Sequence, residues 1–201
     1  MKYFSDRTYR VLRFLVNAAM RVVHPVVRIR GRENVPEGAT VVAANHSAFS
    51  DVIWVHVGMK TKHLPMTMAK KELFGIPVIS TIFRKVAAFP VDREGNDISA
   101  IKTSLKCLND GNKLVIFPEG TRIRRGITAE AHNGAMMLAC RADAYVLPIY
   151  VTAKKKLFRP IDVVIGEAYK PQYEGRKPTN EELDSLTKEM MDKIYQMGDK
   201  R

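Results

Sequence analysis

Thr40-Val41-Val42-Ala43-Ala44-Asn45-His46-Ser47-Ala48-Phe49-Ser50-Asp51-Val52-Ile53-Trp54-Val55 decides how this chain folds. Its first five residues form an apolar run of the length of a buried strand. Val52-Ile53-Trp54-Val55 opens a helix, with Ser47 or Ser50 as the expected cap. His46 then stands at the C-terminal end of a strand and Asp51 in a first helical turn, where open α/β sheets place their ligands. Residues at this spacing on one regular helix lie well off a common face. His46 and Asp51 therefore meet only if the chain turns between them, and the strand-to-helix turn supplies that. A carboxylate beside an imidazole fixes its tautomer and stabilises the imidazolium. The other ring nitrogen is left to take a proton from a hydroxyl. G-x-S-x-G is absent from the sequence, so the expected nucleophile is a hydroxyl on the substrate. The plainer reading is a structural histidine near a capping aspartate.

Outward from this stretch, strand and helix patterns alternate. Residues 3–24 predict a helix with a broad apolar surface and one polar, basic stripe of Arg10, Arg13, Asn17 and Arg21, ended by Pro25. Such a helix fits the membrane interface, or packs on the domain with its arginines solvated, or does both. Residues 26–30 read as an edge strand. Residues 64–69, 87–91, 113–117, 145–151 and 161–165 read as further strands. Helices are expected over 78–85, 97–109, 134–142 and 179–197, the last with Thr179-Asn180-Glu181-Glu182 as its start signal. Alternation of this kind argues a single α/β domain with a mainly parallel, mixed sheet flanked by helices. The methionines of 134–142 read as core filler.

The 201 residues are 46% hydrophobic, enough for one domain with a real core. A net charge of +12 favours anionic partners: phospholipid headgroups, nucleic acid or an acidic carrier. Aromatic residues are scattered, and neither an RNP-like nor a Cys/His finger pattern occurs, so no nucleic acid is expected. Cys107 and Cys140, each in an apolar helical pattern, read as buried free thiols of a reducing compartment. No apolar run approaches the roughly 20 residues that span a bilayer. A metal site of His46, Asp51 and Glu119 matches no known ligand spacing, and His24, His56, His63 and His132 share none either.

A second constellation ends the strand at 113–117. In Glu119-Gly120-Thr121-Arg122, the glycine lets backbone approach a ligand, and a hydroxyl and a guanidinium stand ready for a phosphate. Arg93 follows another strand end and can reach the same cleft. Lys70, Lys71, Arg84, Lys85, Arg124 and Arg125 add positive charge. Glu119 has three open readings: it holds Arg122, bonds the substrate hydroxyl, or caps a turn.

Asn45-His46-x-x-x-x-Asp51 together with Phe117-Pro118-Glu119-Gly120-Thr121-Arg122 resembles the glycerolipid acyltransferase family. Lys70-Lys71-Glu72-Leu73 through Ile76-Pro77 to Val91-Asp92-Arg93 resembles that family's second block, and Leu147-Pro148-Ile149 its fourth. The blocks occur in the family's order over roughly residues 40–150. The resemblance implies acyl transfer from a thioester to a glycerol hydroxyl. His46 would be the general base and Asp51 its orienting partner. Glu119, Gly120, Thr121, Arg122, Arg93 and Lys70 would bind the acceptor. It further implies no metal and no cofactor, with acyl-CoA or acyl-acyl carrier protein as co-substrate and lysophosphatidate as the leading acceptor, giving phosphatidate. Residues 1–25 would be a membrane-association helix and 26–201 the acyltransferase domain, held peripherally on the anionic cytoplasmic face of the membrane. Alternatives are another lysophospholipid or glycerol 3-phosphate as acceptor, a thioesterase, and a non-catalytic basic lipid binder.

Overall fold

The run at 40–44 becomes the centre of the molecule. The computed structural model describes residues 5–92, 97–122 and 131–199. β2 (Thr40–Ala44) is buried along its whole length, which is why it carries apolar residues on both faces rather than in alternation. Parallel neighbours flank it on each side: β5 (Lys113–Ile116) and β6 (Tyr145–Val151). The described sheet has seven strands in the order β1-β7-β6-β2-β5-β3-β4, adding β1 (Val27–Arg30), β3 (Met66–Lys70), β4 (Ala88–Val91) and β7 (Ile161–Ile165). Only the β6–β7 pairing among these is antiparallel. β2 to β6 therefore all end on one edge, where Lys70 closes β3 and His46, Asp92, Pro118 and Thr152 follow their strands.

The two faces separate by the strand period. Val41, Ala43, Leu114, Ile116 and Val146 meet α4 (Ile98–Asn109), α5 (Gly134–Arg141) and α6 (Asn180–Asp199). Val42, Ala44, Val115, Leu147 and Ile149 meet α2 (Ser50–Met59) with Trp54 and Val55. Met136 is fully buried in the first of these clusters, as core. Cys107 and Cys140 are both buried and free, and burial pushes the Cys107 thiol up to about 12.

Local signals account for most boundaries. Asp97 caps α4 by accepting from the Ala100 N–H at 2.9 Å. Thr179 and Glu182 form a reciprocal capping box at α6. At α2 neither serine caps. The N-cap position is Phe49, whose side chain has no acceptor, and Asp51 takes the amides of Ser47 and Ala48 in the turn before it. Residues 71–75 form a 3₁₀ turn before α3 (Pro77–Lys85).

α1 (Asp6–Val23) corrects the expected stripe. It packs on the body through Tyr9, Leu12, Val16 and Met20, and its polar neighbours Arg13 and Asn17 turn partly inward with them. The Arg13 guanidinium lies 5.8 Å from the Tyr9 ring centre. The opposite, apolar face is exposed: Val11, Phe14, Leu15 and Val22. Among the described residues no helix is long and apolar enough to cross a membrane.

Candidate active site

Three strand ends converge on His46. Asn45, buried, ties the end of β2 to β6. Its amide nitrogen donates to the Val151 carbonyl at 2.9 Å and its oxygen accepts from the Val151 N–H at 2.8 Å. That clamp fixes where the chain leaves the sheet. The imidazole of His46 then lies on the Phe117 ring, 4.3 Å between centres. Its Nδ1–H donates to Asp51 Oδ2 at 3.2 Å. Nε2, without a partner among the described residues, is left as the basic nitrogen.

Asp51 is fully buried, and its carboxylate is surrounded by donors. Oδ2 also accepts from the N–H groups of Ser47 at 2.5 Å and Ala48 at 2.6 Å, while Oδ1 forms an ion pair with Lys155. Burial alone would raise its pKa. The His46 hydrogen bond, the Lys155 charge and the Ala48 amide outweigh burial and hold the carboxyl below the usual range. The Ser47 hydroxyl is itself engaged, by Lys155 at 2.9 Å and Asp51 at 3.4 Å, so it is not offered to His46.

Glu119 sits 1% exposed beneath the histidine. Oε2 accepts from the backbone N–H of His46 at 2.7 Å, and Oε1 accepts from the Tyr195 hydroxyl of α6. Each of its oxygens accepts one hydrogen bond from the protein. It braces the backbone of the base. Burial, the largest cause, pushes Glu119 up to about 7, against the two hydrogen bonds. Its folded form holds a proton that the unfolded chain releases near the ordinary glutamate value of 4.5. Stability therefore falls as pH rises from there through about 7. We expect Glu119→Gln, which still offers Oε1 to His46, to flatten that decline by up to one proton, about 1.4 kcal/mol per pH unit at most. Urea unfolding of both proteins between pH 4.5 and 8 would measure it, and equal slopes would refute it.

Gly120 has φ +64°, and a Cβ there would lie 2.7 Å from the His132 ring. Only glycine lets the loop turn so close to a side chain. The turn delivers Thr121 and Arg122 to the rim. The Arg122 guanidinium lies 4.1 Å from the ring centre of Phe49, an exposed residue ahead of α2. Lys70 stands on the same rim, its Nζ 3.3 Å from Glu72. Arg93, Arg124 and Arg125 lie outside the described residues. Among the described residues no cluster of three or more His, Cys, Asp or Glu is placed to hold a metal ion.

His46, Gly120, Thr121, Arg122 and Lys70 all border one cavity of about 570 Å³, roofed by α1 and walled by α2, β3 and α3. Apolar side chains such as Leu12, Val16, Val52, Ile53 and Leu73 dominate its lining. His56, one helical turn and more beyond Asp51, faces into it, with Nδ1 3.4 Å from the Tyr9 hydroxyl and Nε2 3.1 Å from Thr67 Oγ1. Burial and then the Arg13 charge push His56 down to about 4, so it is neutral near pH 7. Lys155, Tyr195, Phe49 and His56 have no site role legible in the sequence. A lysine between two lysines and a tyrosine in a polar helix carry no local signal.

A histidine ring nitrogen that opens into an apolar chamber beside a cationic rim, at the carboxyl edge of an α/β sheet, suits group transfer. The chain belongs to the acyltransferase family, whose model matches residues 26–152, and it is an enzyme of that class. It is 33% identical over 180 residues to the 1-acyl-sn-glycerol-3-phosphate acyltransferase of Bacillus subtilis, covering 87% of this chain and 89% of that protein. To the Pseudomonas aeruginosa protein of the same name it is 28% identical over 181 residues, covering 83% and 69%. The fold is similar to the crystal structure of the 1-acyl-sn-glycerophosphate (LPA) acyltransferase PlsC from Thermotoga maritima. The TM-score is 0.68 with 24% identity, over 88% of this chain and 73% of that one.

Proposed function

We propose that the enzyme transfers a fatty acyl group from an acyl thioester, carried by coenzyme A or acyl carrier protein, to the sn-2 hydroxyl of 1-acylglycerol 3-phosphate, giving phosphatidate. The observation that carries this reading is the free Nε2 of His46 opening into the apolar cavity beside Arg122. The names of the relatives support the acceptor. In the reaction, Nε2 takes the acceptor's hydroxyl proton as its oxygen bonds to the thioester carbonyl carbon. The tetrahedral intermediate then collapses with cleavage of the C–S bond, and the imidazolium returns the proton to the departing thiolate. Asp51 keeps Nδ1 protonated throughout and offsets the imidazolium charge. Glu119 holds the base by its backbone. Arg122 and Lys70, with the turn at Gly120 and Thr121, face the phosphate, and the family resemblance gives Arg93 the same role. The test is thioester consumption with and without lysophosphatidate. Consumption that ignores the acceptor would make the enzyme a thioesterase or direct it to another acceptor, and none from either donor would leave a lipid binder.

Arg122→Ala is expected to raise KM for lysophosphatidate about tenfold or more with a smaller change in kcat, since a charge-assisted bond contributes about 1.5–3 kcal/mol. Steady-state kinetics with a neutral lysolipid as the comparison would expose a wrong assignment, because KM should then move equally for both.

The same reading places the enzyme on an anionic membrane surface. Phe14, Val11, Leu15 and Val22 present apolar area outward on α1, flanked by the exposed Arg10 and Arg21. Leu157 and Phe158 are exposed in a loop tied to the end of α1, where the Phe158 N–H donates to the Val23 carbonyl at 3.0 Å. Replacing Phe14, Leu15 and Val22 by serine is expected to weaken co-sedimentation with phosphatidylglycerol vesicles roughly a hundredfold, from the apolar area each buries. Unchanged sedimentation would remove α1 from the membrane contact.

A further inference from the structure

The loop after β6 reads Lys154-Lys155-Lys156-Leu157-Phe158-Arg159. Lys154 and Lys156 are exposed, while the side chain of Lys155 between them is only 8% exposed. Its ammonium is fully used. It pairs with Asp51 Oδ1, donates to Ser47 Oγ at 2.9 Å and donates to the Thr152 carbonyl at 2.6 Å. The loop is held in place from outside as well, because the Arg159 carbonyl accepts from His24 Nδ1 at 3.1 Å beside the Phe158–Val23 bond. A buried lysine is costly unless paired. This one spends its burial on the aspartate of the catalytic pair and on the turn that joins that aspartate to the base.

We propose that Lys155 is a positioning residue of the acyl-transfer site, completing a Lys155–Asp51–His46 relay. It locks the carboxylate with Oδ2 toward the imidazole, and its charge limits how strongly Asp51 favours the imidazolium. The inference deepens the proposed function and rests on it for its kinetic part. Two physical consequences follow. Without the ammonium, Oδ1 has no remaining partner among the described residues, so the carboxylate can rotate and the turn from Ser47 to Asp51 loosens. Also, without the ammonium's positive charge the imidazolium is more stable, so the base is blocked by protons up to a higher pH. The charged and titratable groups packed around the pair are Lys155 from the β6 loop, Glu119 after β5 and Tyr195 from α6. Among the described residues bonded to the pair, only Lys155 carries positive charge; Arg122 and Lys70 stand on the rim of the same cavity.

The experiment compares wild type, Lys155→Met and Lys155→Arg by two readouts. One is NMR titration of the His46 imidazole in the intact protein. The other is kcat/KM against pH with an acyl thioester and lysophosphatidate. For Lys155→Met we expect the His46 titration and the acid limb to move up together by about one pH unit. We also expect kcat to fall roughly ten- to a hundredfold with acceptor KM little changed. Lys155→Arg keeps the charge and should hold both midpoints at their wild-type positions while recovering most of the rate. A merely structural lysine would lower the unfolding midpoint without moving either titration, and that result would overturn the proposal. So would a Lys155→Arg titration displaced from wild type, which decides the matter even if the methionine variant does not fold. If wild type shows no acceptor-dependent turnover, the proposed function fails, and the NMR titration still judges the relay.

Discussion

His46→Ala should lose acyl transfer by a factor on the order of a hundred to ten thousand while leaving the fold intact. The magnitude is that of a removed general base, and the geometry explains why nothing replaces it. The Ser47 hydroxyl is bound to Lys155 and Asp51, Glu119 has both oxygens occupied, and His56 faces the same cavity but is bonded to Tyr9 and Thr67. Alanine leaves the backbone N–H of residue 46 on Glu119, so the turn should keep its shape. Steady-state rates on detergent-dispersed lysophosphatidate, with circular dichroism as the fold control, make the measurement. A variant within a few-fold of wild type would remove the mechanism, because no second base among the described residues reaches the place of Nε2.

Asp51→Asn should be nearly as damaging, by about a thousandfold or more, for a reason of hydrogen-bond parity. Both oxygens of Asp51 face donors: His46 Nδ1, the amides of Ser47 and Ala48, and the Lys155 ammonium. Asparagine must turn its NH₂ toward one of these sets. Against Lys155 it leaves a buried ammonium unpaired. Against His46 it meets the ring with a donor and favours the tautomer protonated at Nε2, which points a proton rather than a lone pair at the acceptor. Breaking a buried pair from one side also costs about 3–5 kcal/mol. The pH dependence has a sign. The folded-state pKa of Asp51 is lowered, so its contribution to stability is present above the ordinary carboxylate range and is lost as pH falls through the folded value. The variant should be less stable at neutral pH and should lack that part of the acid-side decline. Lysophosphatidate binding, measured by its KM, should change far less than kcat. Equal losses in both would mean that Asp51 shapes the acceptor site rather than the base.

Much of this was legible along the chain because it is local. The strand at 40–44 announces itself by an apolar run of strand length, and the turn that follows makes the His46–Asp51 pairing geometrically necessary if the two are to meet. The capping box at Thr179–Glu182 and the glycine turn at Gly120 are likewise decided within a few residues. Their spacing sets which backbone groups face which side chains. The candidate site residues His46, Gly120, Thr121, Arg122 and Lys70 came together on one cavity because each closes or follows a strand, and parallel strands end on one edge.

What the tertiary structure alone decided are contacts across long separations. Lys155 is chosen from three consecutive lysines only because β6 lies beside β2, which aims one of the three at Asp51. Glu119 is held from a second element because α6 brings Tyr195 to it. Arg122 lies over the ring of Phe49, from the turn that leads into α2. Which face of α1 meets the protein was also undetermined by its periodicity, since its apolar residues exceed what one buried face needs. The helix turned Tyr9 and Val16 inward and left Phe14 and Val22 outside. A sequence determines these outcomes only through the whole packed fold, because the free energy that selects one lysine or one helix face is released by partners dozens of residues away.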